Sequence, residues 1–175
     1  MKRFIFCLLT LAVFQLQSYA KEIEDFSLMK GVTTLNYSFD FSAFKINKIA
    51  AKDYIDMKLN ISFEKFSSSF QNILLASAND NLLSSKLAIT NDEKSDVEIK
   101  FLPTSADQDG EHTIMCKLVH KPSDTLITSF TLNTNGGDDD KFQEELMKGL
   151  NKTGKKLAKQ LAKIKLAAEK TPQKK

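Results

Sequence analysis

Apolar and polar side chains alternate along residues 33–41, the first strong pattern in the body of the chain. The apolar positions are Leu35, Tyr37, Phe39 and Phe41, and polar residues separate them. A period of two is the spacing of a strand with one buried face. The pattern predicts a first strand over residues 32–42.

The next segment carries two competing patterns. Alternation over residues 55–63 is typical of a strand, whereas apolar residues at helical spacing continue from Leu59 to Leu74. The helical pattern is longer, and a run of three serines fits its outward face. We therefore predict a helix over residues 51–78 with a break near Asn60.

Shorter apolar runs predict the remaining strands. One covers residues 87–90, and another covers 97–101 and is closed by Pro103. A hairpin follows, with strands over 112–120 and 126–132 joined by a polar turn that contains proline. This hairpin is the clearest antiparallel signal in the chain.

Leucines recur at helical spacing over residues 140–166, with lysines between them. This pattern predicts an amphipathic helix that lies against the sheet. Together the elements predict one α+β domain, an antiparallel or mixed sheet of four to five strands with two helices packed on one face. The domain spans residues 21–166, and residues 167–175 are predicted to be a disordered basic tail.

The stretch NTNGGDDDKF, residues 133–142, joins the last strand to this helix. Glycines let the chain reverse direction, and aspartates at a helix start accept hydrogen bonds from its free amides. Calcium needs spaced oxygens that converge, whereas three contiguous aspartates splay apart on a helix. We interpret the stretch as a corner with a capped helix rather than a calcium or phosphate loop.

The first twenty residues carry the pattern of a secretory signal peptide. Two cations precede an apolar run, and Ser18 and Ala20 place small residues before a processing site after Ala20. We predict that residues 1–20 are a signal peptide and that the protein is exported. Processing would remove Cys7 and leave Cys116 as the single cysteine, so no intramolecular disulfide is expected.

Positive charge is concentrated at the C-terminal end. The whole chain has a net charge of +3, but residues 141–175 contain eleven lysines and three glutamates, a net of +8. The body over residues 21–140 then carries about −7. Such a basic segment is either the solvated face of a helix or a contact for an anionic surface. The candidate contact residues are Lys148, Lys152, Lys155, Lys156, Lys159 and Lys163.

No group of residues in the sequence predicts catalysis or a metal site. His112, Cys116 and His120 are spaced by four, but neighbours at that spacing on a strand are ~13 Å apart, too far to share one zinc ion. The sequence contains no Gly-x-Ser-x-Gly motif. Its lysine-rich end lacks arginine and interleaved aromatic residues, which argues against nucleic acid as a partner. We expect no cofactor and no enzymatic activity.

Three segments resemble small exported bacterial α+β domains of unknown function: LNYSFDF, DGEHTIMCKLVHKPSDTLITSFTL and NGGDDDKFQEELMKGLNKTGKKLAKQL. The arrangement is also similar, at the level of the fold, to the amino-terminal domain of the Tol-system propeller protein and to envelope-assembly lipoproteins. This resemblance implies a protein or lipid partner in the cell envelope and supplies no catalytic residue.

The sequence therefore predicts an exported, periplasmic or extracellular binding or interaction protein associated with the cell envelope. Two alternatives stay open. One is a peripheral binder of anionic membranes that uses the lysine-rich helix, and the other is an enzyme with a cryptic site. The oligomeric state is not set by the sequence.

The signal peptide generates the first testable prediction. Exported from a bacterium, the protein should have the mass of a chain that begins at Lys21, measured by intact-protein mass spectrometry. Ala20→Phe should block processing, because the position before the cut takes a small residue. The matched control Tyr19→Phe, between the two small positions, should be processed normally. A wild-type chain that keeps residues 1–20 after export would contradict the prediction.

Overall fold

The computed structural model describes residues 25–134 and 141–171 of the 175-residue chain. The predicted signal peptide, residues 135–140 of the glycine–aspartate corner and the end of the predicted tail lie outside the described residues. The strands are β1 (Thr34–Phe39), β2 (Lys45–Ile46), β3 (Ile49–Ala50), β4 (Ala88–Ile89), β5 (Val97–Ala106), β6 (His112–His120) and β7 (Thr125–Thr134). The α-helices are α1 (Ala51–Lys58), α2 (Phe63–Leu82) and α3 (Phe142–Lys170), and short 3-10 helices cover Phe26–Met29, Leu83–Ser85 and Lys121–Ser123.

Strand β5 is the centre of a mixed sheet. It pairs antiparallel with β6 along its whole length, and β6 pairs antiparallel with β7. Along the other edge of β5, first β1 and then β2 pair in parallel. Strand β4 extends the sheet beyond β1, and β3 beyond β2. The predicted α+β class is confirmed, and the described residues form seven strands rather than four to five and three α-helices rather than two.

The two additional strands are β2 and β3, which form a hairpin of two residues each. Its loop consists of Asn47 and Lys48, which both have positive φ angles of 51° and 69°. Two consecutive residues of this kind are the signature of the tight turn that joins short antiparallel strands. Strands of two residues hold no alternating pattern, and for this reason the sequence did not reveal them.

Pro103 does not close β5, as the sequence suggested, but lies inside it. The parallel pairing with β1 ends at Phe101, and the pairing with β2 begins at Ser105. Pro103 therefore falls where neither parallel strand is in register with β5. The pairing with β6 also shifts by one residue between Pro103 and Ser105. A proline, which lacks an N–H group, is tolerated at such an irregular position.

The predicted break in the first helical region is confirmed. Helix α1 ends at Lys58, and α2 begins after Ser62, whose hydroxyl accepts a hydrogen bond from the Lys65 backbone amide at 3.3 Å. Serine is a favoured residue at this capping position. Helix α2 continues to Leu82, four residues beyond the predicted end.

Helix α3 is longer than predicted. It continues to Lys170, so residues 167–170 belong to the helix rather than to a disordered tail. The reason is packing, because Ala168 is fully buried against the core. At the other end, Lys141 occupies the capping position and its side chain makes no capping bond. The aspartates that we expected to cap this helix lie outside the described residues.

The core lies between the sheet and the helices. Its centre is aromatic: Phe66 and Phe70 of α2 are fully buried, and the ring of Phe70 lies 5.3 Å from that of Phe41. The rings of Phe39 and Phe101, on neighbouring strands, stack with 4.5 Å between their centres. Phe66 and Phe70, which lie four residues apart on one side of α2, therefore belong to the core.

Helices α2 and α3 are in close contact at Gly154. A Cβ atom at this position would lie 2.6 Å from the Ser77 Cβ and 2.7 Å from the Leu74 carbonyl oxygen. Beside this contact, the Ser77 hydroxyl donates a hydrogen bond to the Asn151 carbonyl at 2.7 Å. The two backbones are thus in contact, and a side chain between them would force the helices apart.

Gly154→Ala tests this contact. The added methyl group should lower the free energy of unfolding by about 1–3 kcal/mol, the usual cost of overpacking a core. This loss should occur although alanine favours a helix by ~1 kcal/mol over glycine. Chemical denaturation measures the change.

The matched control is Lys155→Ala, which places alanine at the neighbouring exposed position of the same helix. It should change the stability by less than about 0.5 kcal/mol, as is usual for surface substitutions. A Gly154→Ala protein that is as stable as the wild type, or more stable, would show that the helices are not in close contact.

Candidate functional site

The six predicted lysines form a stripe along α3. We call Lys148, Lys152, Lys155, Lys156, Lys159 and Lys163 the lysine stripe. All six are exposed. At 3.6 residues per turn they fall within an arc of about 100°, and at 1.5 Å per residue the stripe is about 23 Å long. The structure therefore brings the predicted residues together on one side of the protein.

Helix α3 itself contributes few acids to this stripe. The sequence has no acidic residue between Glu145 and Glu169. Glu145 accepts a hydrogen bond from the Lys148 side chain at 2.8 Å, and Glu144 pairs with Lys141 at 3.0 Å. The Glu169 carboxylate accepts a backbone N–H at 3.3 Å. The acids of α3 thus lie at its two ends.

Two members of the stripe also stabilise the fold. Lys148 is paired with Glu145, as described above, and Lys156 donates to the Asn133 carbonyl at the end of β7, with 2.6 Å between the two atoms. The other four form no ion pair with the part of the chain that the structure describes: Lys152, Lys155, Lys159 and Lys163. These four side chains are available to an external anion.

The opposite side of α3 packs in the core. Leu146, Leu150, Leu157 and Leu161 are fully buried there, against the sheet and α2. An amphipathic helix that lies in a membrane surface inserts its apolar side. Here that side is occupied, so the exposed side of α3 presents mainly lysines, together with Leu166, which is 57% exposed.

A buried cluster ties the start of α3 to the sheet. His112 is 3% exposed, and its Nδ1 donates to the Gly110 carbonyl at 2.9 Å. Its Nε2 lies 2.7 Å from the Thr153 hydroxyl, which in turn lies 2.5 Å from the Thr134 hydroxyl. Gly149 makes room for the ring, since a Cβ there would lie 2.9 Å from the His112 Cε1. We call these side chains the histidine cluster.

The hydrogen bonds define the protonation of His112. The carbonyl of Gly110 can only accept, so Nδ1 carries the proton. In the neutral ring Nε2 is an acceptor, and the Thr153 hydroxyl lies within reach of both this nitrogen at 2.7 Å and the Gly149 carbonyl at 3.1 Å. Burial lowers the pKa of His112, with a further lowering by Lys156, whereas the Gly110 carbonyl and Asp107 act in the opposite direction. The neutral ring is the form that this environment favours.

A hydroxyl bonded to a histidine has the composition of a nucleophile and its base. In this cluster, however, the Thr153 side chain has no exposed surface, and a substrate does not reach it in this conformation. Cys116 is also buried, and burial raises the pKa of its thiol far above the usual value. His120 lies at the surface, where its ring bonds to the Ser123 hydroxyl.

His112, Cys116 and His120 are thus held by separate contacts. No group of three or more metal-binding side chains occurs within residues 25–134 and 141–171. In the same residues, no helix is both long enough and apolar enough to cross a membrane.

An apolar groove lies between the end of α1 and the start of α3. It has a volume of about 850 Å³. Its apolar lining consists of Tyr54, Leu59, Phe142 and Met147, all partly exposed, and its rim includes Lys58, Lys141 and Lys148. The rings of Tyr54 and Phe142 meet edge to face, with 5.5 Å between their centres.

A larger groove of about 970 Å³ lies at the end of β5, beside the β2–β3 loop. Its lining is mainly polar or charged and includes Lys45, Asp107 and Glu111. Asp107 holds the β5–β6 turn, because its carboxylate accepts the backbone amides of Asp109 and Glu111. The other lining residues come from β5, β6, β7 and the β2–β3 hairpin, and two members of the histidine cluster, His112 and Thr134, are among them.

Sequence reasoning missed both the histidine cluster and the apolar groove. Thr153 lies 41 residues from His112, so no local pattern connects them. One signal was present, because Thr153 is a polar residue inside the leucine stripe of α3, where a buried hydroxyl needs a partner. The groove had no such signal, since its two sides come from helices that are far apart in the sequence.

Comparisons with known proteins give likenesses of fold. No protein-family model matches the chain, and no curated protein matches it. Solved structures that are similar include an uncharacterised protein, with 16% identity over 74% of this chain and 93% of that chain (TM-score 0.49). A DUF330 protein from Xanthomonas campestris has 14% identity over 60% and 66% (TM-score 0.46). The PelC dodecamer from Paraburkholderia phytofirmans has 10% identity over 71% and 87% (TM-score 0.41).

These likenesses fit the predicted resemblance to α+β proteins of unknown function. At such identities and TM-scores they carry no argument about activity, partner or assembly. The resemblance to the Tol-system propeller protein stays a prediction.

The histidine cluster generates a prediction about pH. The folded-state pKa of His112 lies below the ordinary value near 6.5, so below that pH the unfolded chain binds a proton that the folded chain does not. The free energy of unfolding should therefore be highest above pH 6.5 and decrease as the pH falls, by at most ~1.4 kcal/mol per pH unit. Chemical denaturation between pH 5.5 and 7.5 measures the slope.

His112→Asn should flatten this slope, because the amide can still donate to the Gly110 carbonyl but does not titrate. The matched control is His120→Asn, which removes the other histidine of the chain from a surface turn and should keep most of the wild-type slope. Equal slopes for the wild type and His112→Asn would refute a role for the buried ring.

Proposed function

We propose that this chain is an exported, non-catalytic binding protein that docks on an anionic surface of the cell envelope. The observation that carries the proposal is the lysine stripe, a line of exposed cations on a helix whose sequence has no acid between Glu145 and Glu169. The signal peptide predicted from the sequence supports the location. The histidine cluster supports a non-catalytic role, because its reactive groups are buried.

The arrangement favours docking by charge over insertion. The apolar side of α3 is buried in the core, and exposed lysines cover the other side. A straight array about 23 Å long matches a flat anionic surface, because every lysine can approach it at once. The acidic body of the protein would face away from that surface and set the orientation of the molecule.

The expected strength follows from the number of lysines. Near an anionic lipid surface each lysine contributes about 1 kcal/mol, and the effect falls off within a Debye length. The four unpaired lysines could thus supply about 4 kcal/mol at low salt. Such binding is reversible and sensitive to salt, in contrast to that of an inserted helix.

The proposal is tested by co-sedimentation with vesicles. The mature protein should bind vesicles of phosphatidylcholine and phosphatidylglycerol (3:1) at 0.05 M salt, and should be released at 0.5 M salt because the charges are then screened. A variant with Lys152, Lys155, Lys159 and Lys163 all changed to Gln should bind about a thousandfold more weakly at low salt.

The matched control removes four exposed lysines from the body of the protein and leaves the stripe intact. It carries Gln at Lys45, Lys52, Lys65 and Lys94. Its net charge equals that of the stripe variant, so it should retain vesicle binding if position matters and lose it if only total charge matters. Equal binding to pure phosphatidylcholine, or tighter binding to duplex DNA than to vesicles at equal phosphate concentration, would contradict the proposal.

A further inference from the structure

The apolar groove has the features of a ligand site. Its volume of about 850 Å³ falls within the range of small-molecule pockets. Its apolar lining residues are only partly buried, so part of their apolar surface remains in contact with water. Met57, which precedes Lys58 in the sequence of α1, is 62% exposed. Exposed apolar surface of this kind, with a polar rim, is typical of a binding site.

The chemistry of the lining favours a flexible apolar chain. Met147 is unbranched and adapts to irregular shapes, and the rings of Tyr54 and Phe142 offer two flat walls at an angle of 67°. Leu59, in the segment between α1 and α2, contributes a further apolar wall. These side chains offer few hydrogen-bonding groups to a polar ligand.

The rim supplies positive charge. Lys58 approaches from α1 and forms no ion pair among the described residues. Lys141 lies at the start of α3 and Lys148 within it, and both are bonded to glutamates. Among the described residues that line the groove, these three lysines stand against one acid, Glu144. Lys148 is also the first residue of the lysine stripe, and the groove is therefore continuous with the surface that we propose for docking.

From this arrangement we infer that the groove binds the single acyl chain of an anionic amphiphile, with the chain on the apolar lining and the anionic head group at the lysine rim. This inference rests on the proposed function and adds a ligand class to it. Two sources share this chemistry, a free fatty acid and a lipid from the surface on which the protein docks. Charge at the rim selects the head group, and the length of the lining selects the chain.

Isothermal titration calorimetry on the mature protein, without vesicles, tests the inference with probes below their critical micelle concentrations. Laurate should bind, butyrate should not because it lacks the chain, and dodecyl maltoside should bind at least tenfold more weakly because its head group is neutral. Lyso-phosphatidylglycerol with a twelve-carbon chain separates the two sources. If it binds more tightly than laurate, the site is assigned to a membrane lipid. If it binds more weakly than laurate, the site is assigned to a free fatty acid. Equal binding of butyrate and laurate, or of dodecyl maltoside and laurate, would overturn the inference.

Variants locate the site. Met147→Glu places a carboxylate in the lining and should abolish laurate binding, whereas Met115→Glu, at an exposed position on the other face of the sheet, should not. Lys58→Gln, at the exposed end of α1, should weaken laurate binding at least threefold. This variant tests the site if Met147→Glu fails to fold, which circular dichroism would show. Retention of full laurate affinity by Lys58→Gln, or by a folded Met147→Glu, would refute the site.

The vesicle assay keeps the two proposals separate. Met147→Glu should still sediment with anionic vesicles, because the four unpaired lysines of the stripe are intact. A wild-type protein that sediments with vesicles but does not bind laurate or lyso-phosphatidylglycerol would overturn the groove and leave the docking surface in place. A protein that binds laurate but no vesicles would overturn the docking surface and leave the groove in place as a site for a free fatty acid.

Discussion

Backbone contact between α3 and its neighbours is the constraint on which the rest of this structure depends. At Gly154 the helix touches α2, and at Gly149 it touches the ring of His112. At Gly110, which has a φ angle of +74°, the β5–β6 turn approaches so closely that a Cβ atom would lie 2.6 Å from the Leu146 amide nitrogen. Only glycine both adopts this positive φ angle readily and lacks a Cβ atom. These contacts fix the position and the rotation of α3 on the sheet.

The rotation of α3 determines which chemistry the protein presents. Once the glycine side and the leucines face inward, the lysines must face outward, and they form a continuous array. The same placement brings Phe142 beside Tyr54 of α1 and creates the apolar groove. The histidine cluster reinforces this arrangement, because Thr153 bonds to His112 only when the helix lies in this register. Fold and candidate surface are thus two consequences of one packing geometry.

The sequence allowed the larger elements to be predicted because their signals are local. Alternation identified the strands of the hairpin, and a period near 3.6 identified the helices and the break near Asn60. The errors arose where tertiary packing overrode a rule based on the local sequence. Pro103 lies inside β5 because the neighbouring strands leave a gap there, and α3 continues to Lys170 because the core buries Ala168. The hairpin of β2 and β3 was too short to leave a pattern.

By itself, the sequence determined the α+β class, the main elements and the positions of the lysine stripe, since residues three and four apart on one helix share a side whatever surrounds them. Only the tertiary structure decided the order of the strands, the bond between His112 and Thr153, and the groove between α1 and α3. It also decided that the apolar side of α3 is not available to a membrane. These features join residues that are distant along the chain, and such contacts depend on how whole elements pack rather than on any local pattern.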